Sequence, residues 1–162
     1  LLLDILKAVA VIVLASIAWG FEEAYFPDEL IFENKLTFIT FCGLIAIIGH
    51  CFHVWLKFKG GKGVATAAGV LLAAVPYAGL AACITWIATV AITRISSLSA
   101  LLATLIAPIV TYFISGTTPA LICLIIAALV IWRHTANIKR LIPGAEKPFG
   151  SKNDETADAP FP

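Results

Sequence analysis

Long apolar runs separated by short polar connections set the rhythm of this chain. Leu1–Gly20, Leu36–Leu56, Ala65–Val75, Tyr77–Thr93, Leu98–Ser115 and Pro119–Trp132 are each dominated by Leu, Ile, Val, Ala and aromatic residues. A helix needs about 20 mostly apolar residues to cross about 30 Å of hydrocarbon. The pattern therefore predicts an all-α, polytopic membrane bundle with six spans. The tightest place is Ala65–Thr93, where 29 residues hold two segments parted at Pro76. It reads as two short inclined helices broken at the proline, or as one span with a re-entrant piece.

Composition agrees with that class. Of 162 residues 60% are hydrophobic and only 13% charged, about half the charged share of an ordinary soluble domain. The net charge of +1 gives no reason to expect a nucleic-acid partner. Cys42, Cys51, Cys83 and Cys123 all lie inside apolar runs without CxxC spacing, so they read as small buried hydrophobes and not as disulfides or zinc ligands. Leu1–Gly20 is apolar enough for a signal sequence, but it lacks a basic start and carries Asp4. It reads as a mature span.

Charge orients the spans. If the first runs outward, the inner segments hold Lys7, Lys57, Lys59, Lys62, Arg94, Arg133, Lys139, Arg140, Lys147 and Lys152, and the outer ones only Lys35. Five acids, Glu22, Glu23, Asp28, Glu29 and Glu33, crowd the first outer loop. Such a bias is the positive-inside signature, and it needs two crossings within Ala65–Thr93. Beyond Arg140 the chain turns polar and Pro-rich. The expected division is a transmembrane domain over residues 1–142 and a short cytoplasmic tail over 143–162.

The unusual polar residues all fall on the inner side, in three places. In KFKGGKGVATAAG, Lys57–Gly69, three lysines and four glycines interrupt an apolar chain. Successive N–H groups of a Gly-rich turn can converge on an anion, and a helix starting near Val64 would add its partial positive charge. The plainer reading is a cytoplasmic loop whose lysines meet anionic headgroups. A Walker loop would need Ser or Thr after Lys62, where Gly63 stands. His50 and His53 would share a helix face, but a third metal ligand is missing nearby. TRISSLS, Thr93–Ser99, supplies Ser97 and serines fit to cap a helix. In RHTANIKRLIPGAEK, Arg133, His134, Asn137 and Arg140 are spaced to line one side of a helix leaving the membrane. No acid follows until Glu146, which suits an anionic ligand.

These stretches carry a resemblance. GHCFHVWLKFKGGKGVATAAGV and RHTANIKRLIPGAE resemble the glycine-rich and C-terminal motifs of the bacterial acyl-phosphate:glycerol-3-phosphate acyltransferases, and LLLDILKA and RISSLSAL match in character and order. The likeness runs from Leu1 to about Lys147. It implies a seven-helix fold in the bacterial inner membrane, with a cytoplasm-facing site that moves an acyl chain from acyl phosphate to the sn-1 hydroxyl of glycerol 3-phosphate. The product would be lysophosphatidate, and no cofactor, metal or obligate protein partner is implied. The family's first helix and a first cytoplasmic loop have no counterpart here, so the sequence is expected to be N-terminally incomplete. His53 also departs from the family, where many members carry Pro or a small residue.

On this reading Gly60, Gly61, Lys62 and Gly63, helped by Lys59, hold the acyl-phosphate head. His134, Asn137 and Arg140 orient glycerol 3-phosphate, with a hydrogen bond from Ser97. His134, Asn137 and Lys62 are the expected catalytic set. His134 suits a general base near neutral pH, although departing phosphate can also take the proton. No serine or cysteine sits in a recognisable nucleophile arrangement, so transfer is expected to be direct. The rival class is a small anion transporter or channel. Against it, the spans carry few charges at membrane depth.

Overall fold

The computed structural model describes residues 1–25, 32, 34–53 and 60–148, and they form seven helices. These are α1 (Leu2–Tyr25), α2 (Lys35–Cys51), α3 (Val64–Ala74), α4 (Pro76–Thr93), α5 (Ser96–Ser115), α6 (Thr117–Arg133) and α7 (Thr135–Leu141). Local chemistry marks several of the boundaries. The Asn34 carboxamide oxygen accepts from the Thr37 N–H at 2.9 Å and caps α2. Pro76 occupies the first turn of α4, where its missing N–H costs nothing. Arg94 in the left-handed region, φ 58°, closes α4.

The first six helices run to and fro. At one end His50 of α2 meets Lys7 of α1, Arg133 at the end of α6 reaches Gly60, and Ser97 near the start of α5 meets Glu146. At the other end Trp19 packs on Phe38 with ring centroids 5.6 Å apart, and its indole N–H donates to Glu23. One end is thus basic and polar, the other aromatic and acidic. The sequence bias in charge becomes a bias between the two ends of the bundle.

Ile47, Val70, Val130, Cys51 and Cys123 lie in the fully buried core between α2, α3 and α6. Most other large apolar side chains, such as Leu14, Ile84, Phe113 and Ile125, point outward. That inverted surface is what a lipid-facing bundle requires. Small residues let the helices close up: a methyl on Gly79 would strike the backbone of Leu72, and one on Gly69 the backbone of Ile5.

By length and composition alone, fewer than the six expected spans stand out. Among the described residues, only α1, α4 and α5 are long and apolar enough to cross a membrane by themselves; the pair α6 and α7, bent by 66°, brings the number to four if taken together. With 11 residues α3 measures only about 16 Å, and α2 stops at Cys51. The part of the expected Leu36–Leu56 span beyond His53 lies outside the described residues, as do residues 149–162 of the expected tail.

Candidate functional site

At the basic end the helices open around a cavity of about 860 Å³. Its mouth is lined by Lys62, Ser97, His134, Asn137, Arg140 and Glu146; deeper walls come from Ala67, Leu71, Trp86, Ala100 and Ala103 of α3, α4 and α5. The cavity is therefore amphiphilic, polar where the chain ends meet and apolar between the helices.

His134 sits at the break between α6 and α7, and this differs from the expected continuous helix face. Its N–H donates to the carbonyls of Val130 (3.1 Å) and Ile131 (3.0 Å), while ring Nδ1 lies 2.7 Å from the Val130 oxygen. Thr135 Oγ1 bonds back to the Trp132 carbonyl at 2.9 Å. The end of α6 is thereby tied off by side chains, and α7 leaves at its 66° angle. A carbonyl can only accept, so Nδ1 carries the proton and Nε2 is the acceptor nitrogen. The ring is 2% exposed. Burial, joined by the positive charges of Lys62 and Arg133, lowers its pKa below the ordinary 6.5, against the Val130 bond and the Glu146 charge. His134 is consequently neutral at physiological pH.

The break also separates residues that the spacing had grouped. His134, Asn137 and Arg140 line the cavity. Arg133 turns the other way: its guanidinium donates to the Gly60 carbonyl at 2.6 Å and lies 5.7 Å from the centre of the Phe52 ring.

Glu146 is the residue that sequence reasoning missed. Its Oε1 accepts from Ser97 Oγ and from Asn137 Nδ2, each at 2.6 Å, and its Oε2 accepts from Arg140 Nε at 2.6 Å. Burial opposes ionisation, but these three hydrogen bonds and the Arg140 charge outweigh it and hold the carboxyl below its usual value. It is thus an ionised hub for three of the expected site residues. The available signal was its place at the end of the RHTANIKRLIPGAE motif; its partner Ser97 stands 49 positions away. With Nδ2 committed to Glu146, Asn137 keeps a buried carbonyl oxygen without a hydrogen-bond partner.

The glycine loop is built differently from a free cradle. Lys62 is exposed and lines the cavity. Gly60 and Gly61, by contrast, pack against the end of α2. A Cβ on Gly60 would strike the His50 and Cys51 carbonyls, and one on Gly61 the His50 ring. Gly63 has φ +83° and faces Cys51 and Ile47. These glycines are needed for close approach and a left-handed turn, whatever else their N–H groups do. Lys59 lies outside the described residues.

Chemically, the mouth offers cations at Lys62 and Arg140, a neutral imidazole and an orphan amide oxygen. That set can hold anionic oxygens while accepting a proton from a hydroxyl.

Comparison with known proteins points the same way. The family model described as glycerol-3-phosphate acyltransferase matches residues 1–144. The glycerol-3-phosphate acyltransferase of Agrobacterium fabrum is 41% identical over 94% of this chain and 67% of its own length. That of Rhodopseudomonas palustris is 42% identical over 94% of this chain and 70% of its own. The enzyme of Ruegeria sp. is 46% identical over 68% of this chain and 54% of its own. The chain thus spans between about half and about 70% of the length of these relatives. Crystal structures of PlsY (YgiH), an integral membrane glycerol 3-phosphate acyltransferase, superpose with TM-score 0.73 at 34% identity. They are its glycerol 3-phosphate and lysophosphatidic acid forms, covering 92% of this chain and 68% and 70% of theirs.

Proposed function

The chain belongs to the glycerol-3-phosphate acyltransferase family, and from that premise we propose that it acylates the sn-1 hydroxyl of glycerol 3-phosphate with acyl phosphate as donor. The observation that carries the reading is the amphiphilic cavity, with cations and a neutral histidine at its mouth and apolar walls behind. A product with one phosphate and one acyl chain has that same division.

In this reading Lys62 and the loop Gly60–Gly63, with Lys59, bind the phosphate of the donor. Arg140 binds that of glycerol 3-phosphate, and Asn137 and Ser97, held by Glu146, orient it. The hydroxyl oxygen attacks the acyl carbonyl carbon, a new ester C–O bond forms, and the bond from carbonyl carbon to phosphate oxygen breaks. Inorganic phosphate leaves with that electron pair, and His134 Nε2 takes the hydroxyl proton. Holding two anions together with a hydroxyl aimed at the carbonyl supplies proximity and charge stabilisation. The acyl tail lies along Ala67, Leu71, Ala100 and Ala103. We place the basic end at the cytoplasmic face of a bacterial inner membrane, in line with the positive-inside bias, with α2, α3 and α6 completing the crossings and α7 lying at that face.

The test is an assay of the purified full chain in lipid with acyl phosphate and glycerol 3-phosphate, and acyl-CoA as the comparison donor. Lysophosphatidate is expected from acyl phosphate and not from acyl-CoA. No product from acyl phosphate, or equal product from both, overturns the proposed donor.

A further inference from the structure

A second polar cluster lies outside the cavity's ring of donors, on the far side of the glycine loop. Lys7 of α1 donates to Asp4 Oδ1 at 2.6 Å and stands 2.7 Å from Nδ1 of His50, near the end of α2. An ammonium carries donors only, so His50 Nδ1 accepts and the ring proton resides on Nε2. Asp4 Oδ1 lies 3.6 Å from the same Nδ1 and balances the lysine charge. The protonated Nε2 edge of the ring is what a Cβ on Gly61 would run into. On the other flank, Arg133 fixes the carbonyl of Gly60. The loop that leads into Lys62 is therefore gripped on both sides by groups that do not line the cavity.

We propose that His50, fixed in its Nε2-protonated tautomer by the Asp4–Lys7 pair, is a positioning residue that sets the Gly60–Gly63 loop and through it Lys62. This rests on the reading of Lys62 as the site of the donor phosphate. The cluster spans two helices, and neither Asp4 nor Lys7 lines the cavity, so its effect passes through the loop. A glycine turn has many accessible conformations. Gripping it beforehand removes an ordering cost that the phosphate would otherwise meet on binding. The cluster acts on one substrate only, because the groups around glycerol 3-phosphate are held separately by Glu146.

The experiment uses the full chain in lipid nanodiscs. Nitrogen NMR of labelled histidine, with His50 assigned by difference from His50→Gln, should show Nε2 protonated and Nδ1 free of a proton in the wild type. Lys7→Met should abolish that fixed tautomer, and Lys7→Arg, which keeps a cationic donor, should preserve it. Amide exchange over residues 60–63 should rise roughly 10-fold in Lys7→Met, as local opening becomes easier. In turnover, Lys7→Met should raise the KM for acyl phosphate roughly 10-fold with the KM for glycerol 3-phosphate unchanged. A wild-type His50 protonated on Nδ1 overturns the proposal, as does unaltered loop exchange in Lys7→Met. An equal rise in both KM values also overturns it, since that is general damage. Absence of turnover from acyl phosphate in the wild type would defeat the proposed reaction, while tautomer and exchange still decide the role of His50.

Discussion

Glu146 shows how one side chain can arrange three others. Its two oxygens face three donors, from Ser97, Asn137 and Arg140. An amide in its place has one acceptor and one donor end, so at least one of these donors would face another donor. Glu146→Gln should therefore release Asn137 and Arg140 and lower turnover on the order of 100-fold, the scale of an ångström misplacement of reacting groups. The check is steady-state kinetics, and activity within a few-fold of wild type would show that Glu146 is dispensable as a hub. At this scale the sequence was legible by residue type but not by pairing. His134, Asn137, Arg140, Ser97 and Lys62 were identified, and all five line the one cavity. Glu146 was passed over because an acid among cations looks like the end of a basic patch, and nothing local announces a partner in another helix.

The glycine loop and the end of α6 tell the corresponding story for elements. Gly60 meets backbone carbonyls of α2, which cannot move without unwinding the helix, whereas Gly61 meets a side-chain ring. Gly60→Ala should thus cost stability, about 1–3 kcal/mol by overpacking. Gly61→Ala should mostly cost turnover, as His50 shifts and carries the loop with it. Thermal unfolding in detergent beside an activity assay separates the two, and a larger drop in melting temperature for Gly61→Ala would contradict this packing. The helices themselves were well anticipated from apolar runs, with ends moved by a few residues: α1 continues five positions beyond Gly20, and α6 begins at Thr117 in place of Pro119. The break at His134 was not anticipated. No Gly or Pro interrupts RHTANIKR, and the turn arises from hydrogen bonds that His134 and Thr135 make back to α6.

At the scale of the whole molecule, the buried polar end makes folding sensitive to acid. His134 has a folded pKa below 6.5, so between 6.5 and that lower value the unfolded chain binds a proton the native one refuses. Stability must fall as pH drops through this window. Glu146, also depressed, contributes stability that is complete above the ordinary 4.5 and is lost as pH falls through its folded value. Melting temperature should accordingly decline in two stages on acidification, and His134→Gln should make the first smaller. A wild-type melting temperature that is flat below pH 6.5 would contradict the neutral, buried imidazole. Charge asymmetry was the feature of the entire chain most readable in sequence, since the spans alternate and each connection falls at a known end. The number of crossings was less so, because run length does not tell where a helix stops. The Val130 carbonyl receives both the N–H and the ring of His134. At Nδ1 the imidazole is steadied by a neutral dipole belonging to its own helix, where a carboxylate would strengthen it more as a base. Such a group can relieve an alcohol of its proton as the new bond matures, but it cannot generate a free alkoxide. In the proposed reaction the chemical drive then travels in with the donor, whose mixed anhydride is already primed to part, and the protein serves as the jig in which the two pieces are held.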